Sequence, residues 1–314
     1  MSEMMSEKIT DPFVVSERQR GAGNIGRLLL EAGKISPEDA AKIIRQQRQS
    51  GQRFGEAAVE LGFVKPEDIQ YALAHQFDYP YLLPGQGNFS SELVAAYQPY
   101  SAEAETLRAL RTQLLLRWYH RGRKALCFTS ASEGGEGVSY QVANLAVVFS
   151  QLGEKTLLID ANLRQPRQHL IFNTGNRAGL SETLIGRAKN AICKIPAFVD
   201  LSVLPAGAIP PNPAELLARN TLGQLLGDLP DGPDPLPRST FGQLLVELSD
   251  SYDIILIDAP TLSAYSDAQS ISAVAGGAVF VVRQNHSRLA RLESAKQLVV
   301  ATGAILVGAV LSNF

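Results

Sequence analysis

The stretch SASEGGEGVSYQVANLA, residues 130–146, carries glycines at 134, 135 and 137 directly before an apolar helical pattern. Glycine frees the backbone to turn successive N–H groups toward one point, and the following helix adds the positive end of its dipole. The segment therefore reads as a phosphate-cradling loop running into a helix. Its nucleotide-binding residues are expected to be Gly134, Gly135, Glu136, Gly137, Val138, Ser139 and Tyr140, with the Ser139 hydroxyl reaching a magnesium ion. One position breaks the pattern, because Val138 stands where such loops carry a lysine. A glycine-rich turn is weak by itself, so its meaning depends on its surroundings.

From residue 123 onward, short apolar runs alternate with helical patterns: ALCFTS, TLLIDA, LSVLPAG, DIILIDAP, GAVFVVR and AILVGAVL. Near-continuous apolar runs suit strands of a parallel sheet covered by helices on both faces, with ligand at the strands' carboxyl ends. The fold class expected is α/β: a P-loop NTPase-like parallel sheet, preceded by a small all-α N-terminal domain. Two strand ends are acidic. LLIDANLRQPR puts Asp160 at one, with Arg164 four residues on, and YDIILIDAPTLSAYSDA puts Asp258 at the other, with Asp267 nearby. Two carboxylates converging on a glycine loop can hold magnesium and orient a nucleophile, which makes Ser139, Asp160 and Asp258 the expected metal set.

The N-terminal region contains one pattern twice. Residues 24–47 (NIGRLLLEAGKISPEDAAKIIRQQ) and 53–76 (RFGEAAVELGFVKPEDIQYALAHQ) align at a spacing of 29, pairing Gly26 with Gly55, Gly33 with Gly62, Pro37 with Pro66 and Gln47 with Gln76. This register marks a duplication. Each copy reads as two helices, the first ending at a glycine and the second opening at a proline with acids in its first turn. Neither copy is large enough to fold alone; packed together they make a compact helical domain. The expected organisation is a disordered stretch at 1–20, the duplicated domain at 21–80, a Pro- and Gly-rich linker at 81–100 and the nucleotide-binding domain at 101–314.

Composition supports this division without naming a ligand. With 314 residues, 45% of them hydrophobic, the chain can bury one large core and a smaller one. A net charge of -2 and a pI near 6.1 argue against a protein built to hold a nucleic acid polymer. Cys127 and Cys193 lack metal-ligand spacing, and Cys127 lies in an apolar run where a buried thiol is expected. LVVATGAILVGAVL is too short and glycine-interrupted to span a bilayer.

The duplicated region resembles the N-terminal domain of type II secretion and type IV pilus ATPases (the GspE/MshE type), which in some members binds cyclic di-GMP. Lengths, spacer, glycines and final glutamines match, and the resemblance implies a cyclic di-GMP site at Gly26, Gly33, Gln47, Arg53, Gly55, Gly62 and Gln76. That family opens its motif with arginine, an apolar residue and glycine. Arg53-Phe54-Gly55 fits, whereas the first copy has Asn24-Ile25-Gly26. A plain helical docking module is the alternative.

The loop, the two aspartates, EAETLRALR and LPAGAIPPNPAELL together resemble the bacterial tyrosine kinases of exopolysaccharide synthesis, in particular chain-length-determinant kinases of the EpsG type, over about residues 100–314. The resemblance implies ATP and magnesium as cofactors and transfer of the γ-phosphoryl group to tyrosine. It implies a ring-assembly helix bearing Glu105, Arg108 and Arg111, a homo-oligomer, and a membrane polysaccharide co-polymerase as partner. The location would be cytoplasmic, peripheral to the inner membrane through that partner.

By the same resemblance Asp160, Asn162, Arg164 and Asp258 are the catalytic group, with Asn162 standing where the family has a second acid. Losing the loop lysine removes a charge-assisted bond worth roughly 1.5–3 kcal/mol, on the order of 10- to 100-fold in affinity. A catalytically impaired scaffold or ligand sensor in the same export system is the rival reading. Since the last apolar run meets the final residue, Phe314, acceptor tyrosines are expected at Tyr97, Tyr100 or Tyr140, or on a partner.

Overall fold

The computed structural model describes residues 22–76, 82, 86–132, 136–189, 191–218 and 240–312. The expected disordered stretch 1–20 lies outside these, as do Gly134 and Gly135. The chain divides into two compact units, Met1–Pro80 and Tyr81–Phe314.

The described residues of the first unit form four helices: α1 (Ala22–Glu31), α2 (Pro37–Ser50), α3 (Phe54–Glu60) and α4 (Pro66–Gln76). The duplication shows in its caps. Gly33 and Gly62 leave the first helix of each copy at φ of 65° and 73°, the left-handed region open to glycine. Asp39 Oδ2 then accepts from Ser36 N at 3.1 Å, and Asp68 Oδ2 accepts from Lys65 N at 3.0 Å, so each second helix starts on the same acid-to-backbone bond. The core follows the repeat too: buried Leu29, Ile35 and Ile43 recur as buried Ala58, Val64 and Ala72. Helix α1 packs against α4 and α2 against α3, so each copy completes the other, and a Lys34–Asp68 ion pair at 2.8 Å joins them.

The described residues of the second unit are built on a seven-stranded sheet ordered β3-β4-β2-β5-β1-β6-β7. The strands are β1 (Ala125–Ser130), β2 (Thr156–Asp160), β3 (Cys193–Lys194), β4 (Leu201–Leu204), β5 (Ile254–Asp258), β6 (Gly277–Arg283) and β7 (Ile305–Ser312). All pairings are parallel except β3 with β4. Alternate residues serve two separate cores. Leu126, Phe128, Leu158, Leu256 and Val279 pack with the short α5 (Val94–Tyr97), α6 (Ala102–Arg117) and α7 (Val138–Ser150). Cys127, Leu157, Ile159, Ile257 and Phe280 pack under the helices Phe241–Ser249, Asp267–Ala275 and Leu289–Ala301. Helices thus cover both faces, as the apolar runs require.

The stretch expected to be a linker, 81–100, is part of this unit over its described residues. Leu93, Ala95 and Ala96 are fully buried in the core with α7, Ala95 N donates to Asn144 Oδ1 at 2.9 Å, and Ser90 N donates to the Ile171 carbonyl at 2.9 Å. Its prolines and glycines suggested a free connection, but its aromatic and aliphatic side chains fill the sheet's flank: Phe89 stacks on Phe198 and meets Phe172 edge-on. Cys127 is buried as expected, and burial pushes its thiol up to about 12. No helix among the described residues is long and apolar enough to cross a membrane.

Candidate functional site

Strand β1 ends at Ser130, and after the loop the chain enters α7 through Gly137, whose φ of 77° only glycine adopts easily. The helix N-terminus therefore stands over the carboxyl edge of the sheet. On that edge β2 and β5 are neighbours in register, Asp160 beside Asp258. Each aspartate is two residues beyond a leucine of the α7-side core, Leu158 and Leu256, so both point to the α7 face. Both are 0% exposed.

The two carboxylates are held differently. Asp160 Oδ1 accepts from Asn162 N at 3.2 Å, and its Oδ2 accepts from Arg167 N at 3.0 Å and Gln168 N at 2.9 Å. It is a bracket for the turn into the short helix α8 (Gln168–Ile171). Asp258 Oδ2 accepts from Gln168 Nε2 at 2.7 Å, and Ser139 lies close enough to this carboxylate to draw its pKa down. Asp258 Oδ1 is buried with no protein partner.

Burial pushes Asp258 up to about 6, against the bond from Gln168, the nearby Ser139 and the charge of Arg167. Burial, then the adjacent Asp258 charge, raises Asp160 well above the ordinary carboxylate range. Two facing acids with an open oxygen and a serine hydroxyl beside them fit a magnesium ion, which takes few protein ligands and completes its shell with water and phosphate oxygens. The described residues contain no cluster of three or more His, Cys, Asp or Glu side chains able to hold a metal.

The other expected residues divide into those at this junction and those engaged elsewhere. Val138 packs its side chain against the α7-side core. Glu136 is 3% exposed; its Oε1 accepts from Ser287 Oγ at 2.8 Å, which ties the loop to the end of β6, while Oε2 has no partner. Tyr140 is buried and donates to Glu103 Oε1 at 2.6 Å, and burial together with that carboxylate raises its phenol far above the ordinary range. Asn162 Oδ1 accepts from Gln165 N at 3.1 Å and shapes the turn. Arg164 makes a two-bond pair with buried Asp267, at 2.7 and 3.1 Å, and lies 3.8 Å from the Tyr265 ring centroid. Its guanidinium is thus matched within the chain. Arg167 pairs with Glu92 at 2.7 Å.

On α6, Glu105 is exposed, Arg108 Nη1 donates to Glu105 at 3.0 Å and Arg111 Nη1 donates to the Val148 carbonyl at 2.6 Å. Among the candidate acceptors, Tyr97 donates to the Gln86 carbonyl at 2.7 Å, Tyr140 is buried, and Tyr100 is 48% exposed. A cleft of about 630 Å³ opens beside Ala131, between Leu262 and Ser263 on one side and Ala290, Arg291 and Ser294 on the other.

In the first unit the duplicated glycines have architectural reasons. A Cβ on Gly26 would meet the Phe54 ring at 3.2 Å, one on Gly55 would meet Ile69 at 3.0 Å, and Gly33 and Gly62 are the left-handed caps. Arg53 N donates to Glu56 Oε2 at 3.0 Å, and the Gln47 carbonyl accepts from Gly51 N at 2.9 Å. The Gln76 side chain lies outside the described residues. Motif reading missed Gln168, the fully buried amide that reaches both Asp258 and the Ser139 carbonyl. It lies in RQPRQH, residues 164–169, a stretch that shares the family resemblance without singling out the amide.

A parallel sheet with a glycine loop, a helix N-terminus and paired strand-end acids defines a nucleotide-binding α/β protein of the P-loop class. No protein-family profile matches the chain. It is 33% identical over 222 residues to the tyrosine-protein kinase YwqD of Bacillus subtilis, covering 70% of this chain and 85% of that protein. The chimerical protein CapA2B2 superposes with a TM-score of 0.61 at 31% identity, covering 78% of this chain and 98% of that one. The kinase domain of the Escherichia coli tyrosine kinase ETK gives 0.61 at 29% identity, covering 70% and 79%. The chain belongs to the family of bacterial tyrosine-protein kinases.

Proposed function

We propose that the second unit binds magnesium–ATP and transfers its γ-phosphoryl group to tyrosine, in a system that regulates exopolysaccharide chain length as kinases of the EpsG type do. The observation that carries this is the pair Asp160 and Asp258, adjacent and buried beneath the start of α7, with an open Asp258 oxygen and the Ser139 hydroxyl at the same point. When bound, magnesium–ATP supplies the phosphoryl group and a divalent charge that neutralises it. Asp258 Oδ1 and Ser139 would hold the metal, and Asp160 fixes the turn beside it. The N–H groups at the start of α7 would meet the phosphates with the helix dipole behind them. A homo-oligomer built through Glu105, Arg108 and Arg111, cytoplasmic and docked on a membrane polysaccharide co-polymerase, completes the proposal.

Two observations favour slow turnover and so give weight to the scaffold reading. Val138 contributes packing where a lysine would contribute charge, and Arg164 is already matched by Asp267. The test is magnesium–ATP affinity and phosphotyrosine formation for the wild type and Val138→Lys. The lysine's stem can lie along the apolar surface Val138 now covers, leaving its head free to reach phosphate. We expect affinity to tighten about 10-fold; unchanged affinity would mean that the loop does not wrap phosphate.

For the first unit we favour a helical docking module over a cyclic di-GMP site, since the packing and capping roles of Gly26, Gly33, Gly55 and Gly62 need no ligand. Titration calorimetry of the full chain with cyclic di-GMP should give no heat. Saturable heat at micromolar ligand would reverse that preference.

A further inference from the structure

The stretch RQPRQH, residues 164–169, gives Gln168 no role by itself, yet the three arms of the site meet on it. It opens α8, a turn held because Asp160 Oδ2 accepts its backbone N–H at 2.9 Å. From there its fully buried side chain donates through Nε2 to Asp258 Oδ2 at 2.7 Å and to the Ser139 carbonyl at 3.0 Å. One residue therefore touches the β2 acid, the β5 acid and the first turn of the loop helix.

Two atoms at this junction lack a protein partner, Gln168 Oε1 and Asp258 Oδ1. A buried polar group without a partner costs about 1–3 kcal/mol, and folded proteins rarely leave one without a reason. Here two such atoms belong to side chains joined by a single hydrogen bond. A carboxylate held by nothing on either oxygen can turn about its last side-chain bond and offer either one. The Nε2 bond occupies Oδ2 and thereby presents Oδ1.

We propose that Gln168 is a positioning residue for the divalent cation: it fixes which Asp258 oxygen faces the metal and offers Oε1 to a water of the metal's hydration shell. This rests on the magnesium–nucleotide reading above. Magnesium keeps several of its waters when bound, so an outer acceptor of this kind has something to hold. Partners that orient metal ligands are worth about 10- to 100-fold in metal affinity.

The test uses the full chain and the Gln168→Met variant, which fills similar space without donor or acceptor. Manganese binding is followed by electron paramagnetic resonance with ADP present, and ADP binding is measured separately in EDTA. We expect Gln168→Met to weaken manganese about 10- to 100-fold and to leave metal-free ADP affinity within about two-fold. Introduced into Asp258→Asn, the same change should produce no further loss, because the effect runs through Asp258.

Gln168→Asn keeps the amide but withdraws it by one methylene; it should show the same selective loss if the methionine variant folds poorly. Equal weakening of metal and metal-free nucleotide, unchanged manganese affinity, or a loss that persists in Asp258→Asn would overturn the role given to Gln168 alone. A wild type that binds neither ADP nor its manganese complex would overturn the site reading and this proposal with it.

Discussion

Asp39 and Asp68 in the helical repeat and Asp160 and Asp258 in the sheet are two pairs of carboxylates with opposite surroundings. Ser36, by side chain and backbone, draws Asp39 below the ordinary value of 3.8. Burial alone would raise Asp68, but Lys34 and the Lys65 N–H outweigh it and bring it down. Asp160 and Asp258 are raised, by burial first. A carboxylate that stabilises its own fold is met by donors. Asp258, the acid proposed to meet the metal, is buried beside a like charge and left short of partners, whereas Asp160, equally buried, is met by three backbone N–H donors. Among the described residues, Ser132, Glu136, Gln168 and Asp258, around the glycine-rich loop and the paired strand ends, carry buried atoms without a partner, as do Tyr119 and His169 elsewhere in the sheet unit, and no described side chain of the repeat does.

The sharpest way to break this contrast is Asp258→Asn. If Asp258 is held for a metal, the variant should lose magnesium-dependent nucleotide affinity on the order of 100-fold, read by calorimetry with and without magnesium. The same variant should melt later than wild type without ligand at pH 7.5, by about 1–3 kcal/mol, because a charge confined to the interior has been removed. An unchanged or lower melting temperature would place Asp258 among the stabilising acids.

The second prediction concerns pH. A raised folded value means that between the ordinary 3.8 and about 6 the folded sheet unit holds protons which the unfolded chain has released. Its stability should therefore rise as pH falls from 7 toward 5. The repeat's acids have lowered values, so their contribution is present above 3.8 and is lost only as pH falls through the folded values. Hydrogen exchange of the full chain at pH 7 and pH 5, read separately for the two units, should show slower exchange at pH 5 beyond the intrinsic pH effect in the sheet unit and no such gain in the repeat.

The smaller effects lie in the repeat. Gly55→Ala puts a methyl 3.0 Å from Ile69 and should cost about 1 kcal/mol in that unit, leaving nucleotide affinity within about two-fold. Asp68→Asn, which loses the Lys34 pair but keeps an acceptor for Lys65 N, should cost less, about 0.5 kcal/mol. Either change altering nucleotide affinity tenfold would show that the repeat and the site are coupled.

Much of this architecture is legible in the chain. The six apolar runs all hold strands; five are buried on both faces, as parallel strands covered by helices are, while β7 at the sheet edge is apolar yet largely exposed. The two-residue β3 leaves none, since Cys193–Lys194 is too short for any period. The stretch 81–100 reads as a tether because prolines and glycines mark turns, yet turns are equally needed to fold a segment back onto a sheet. Asp160, Asp258 and Ser139 were recognisable from their place at strand and helix ends. Gln168 was not, since its role exists only once Asp160 has bent the chain to bring an amide beneath Asp258. The pairing of Arg164 with Asp267, about a hundred residues away, was equally hidden.

In the helical core, Leu28, Leu29 and Ile43 of the first copy correspond to Ala57, Ala58 and Ala72 of the second, while Ile25 and Ala40 correspond to the larger Phe54 and Ile69. Bulk has thus been redistributed between halves that began alike. A chain with either half written twice would crowd some positions and hollow others, and a third copy gained by unequal recombination would find no counterpart shaped to receive it. The duplication has closed itself to further lengthening.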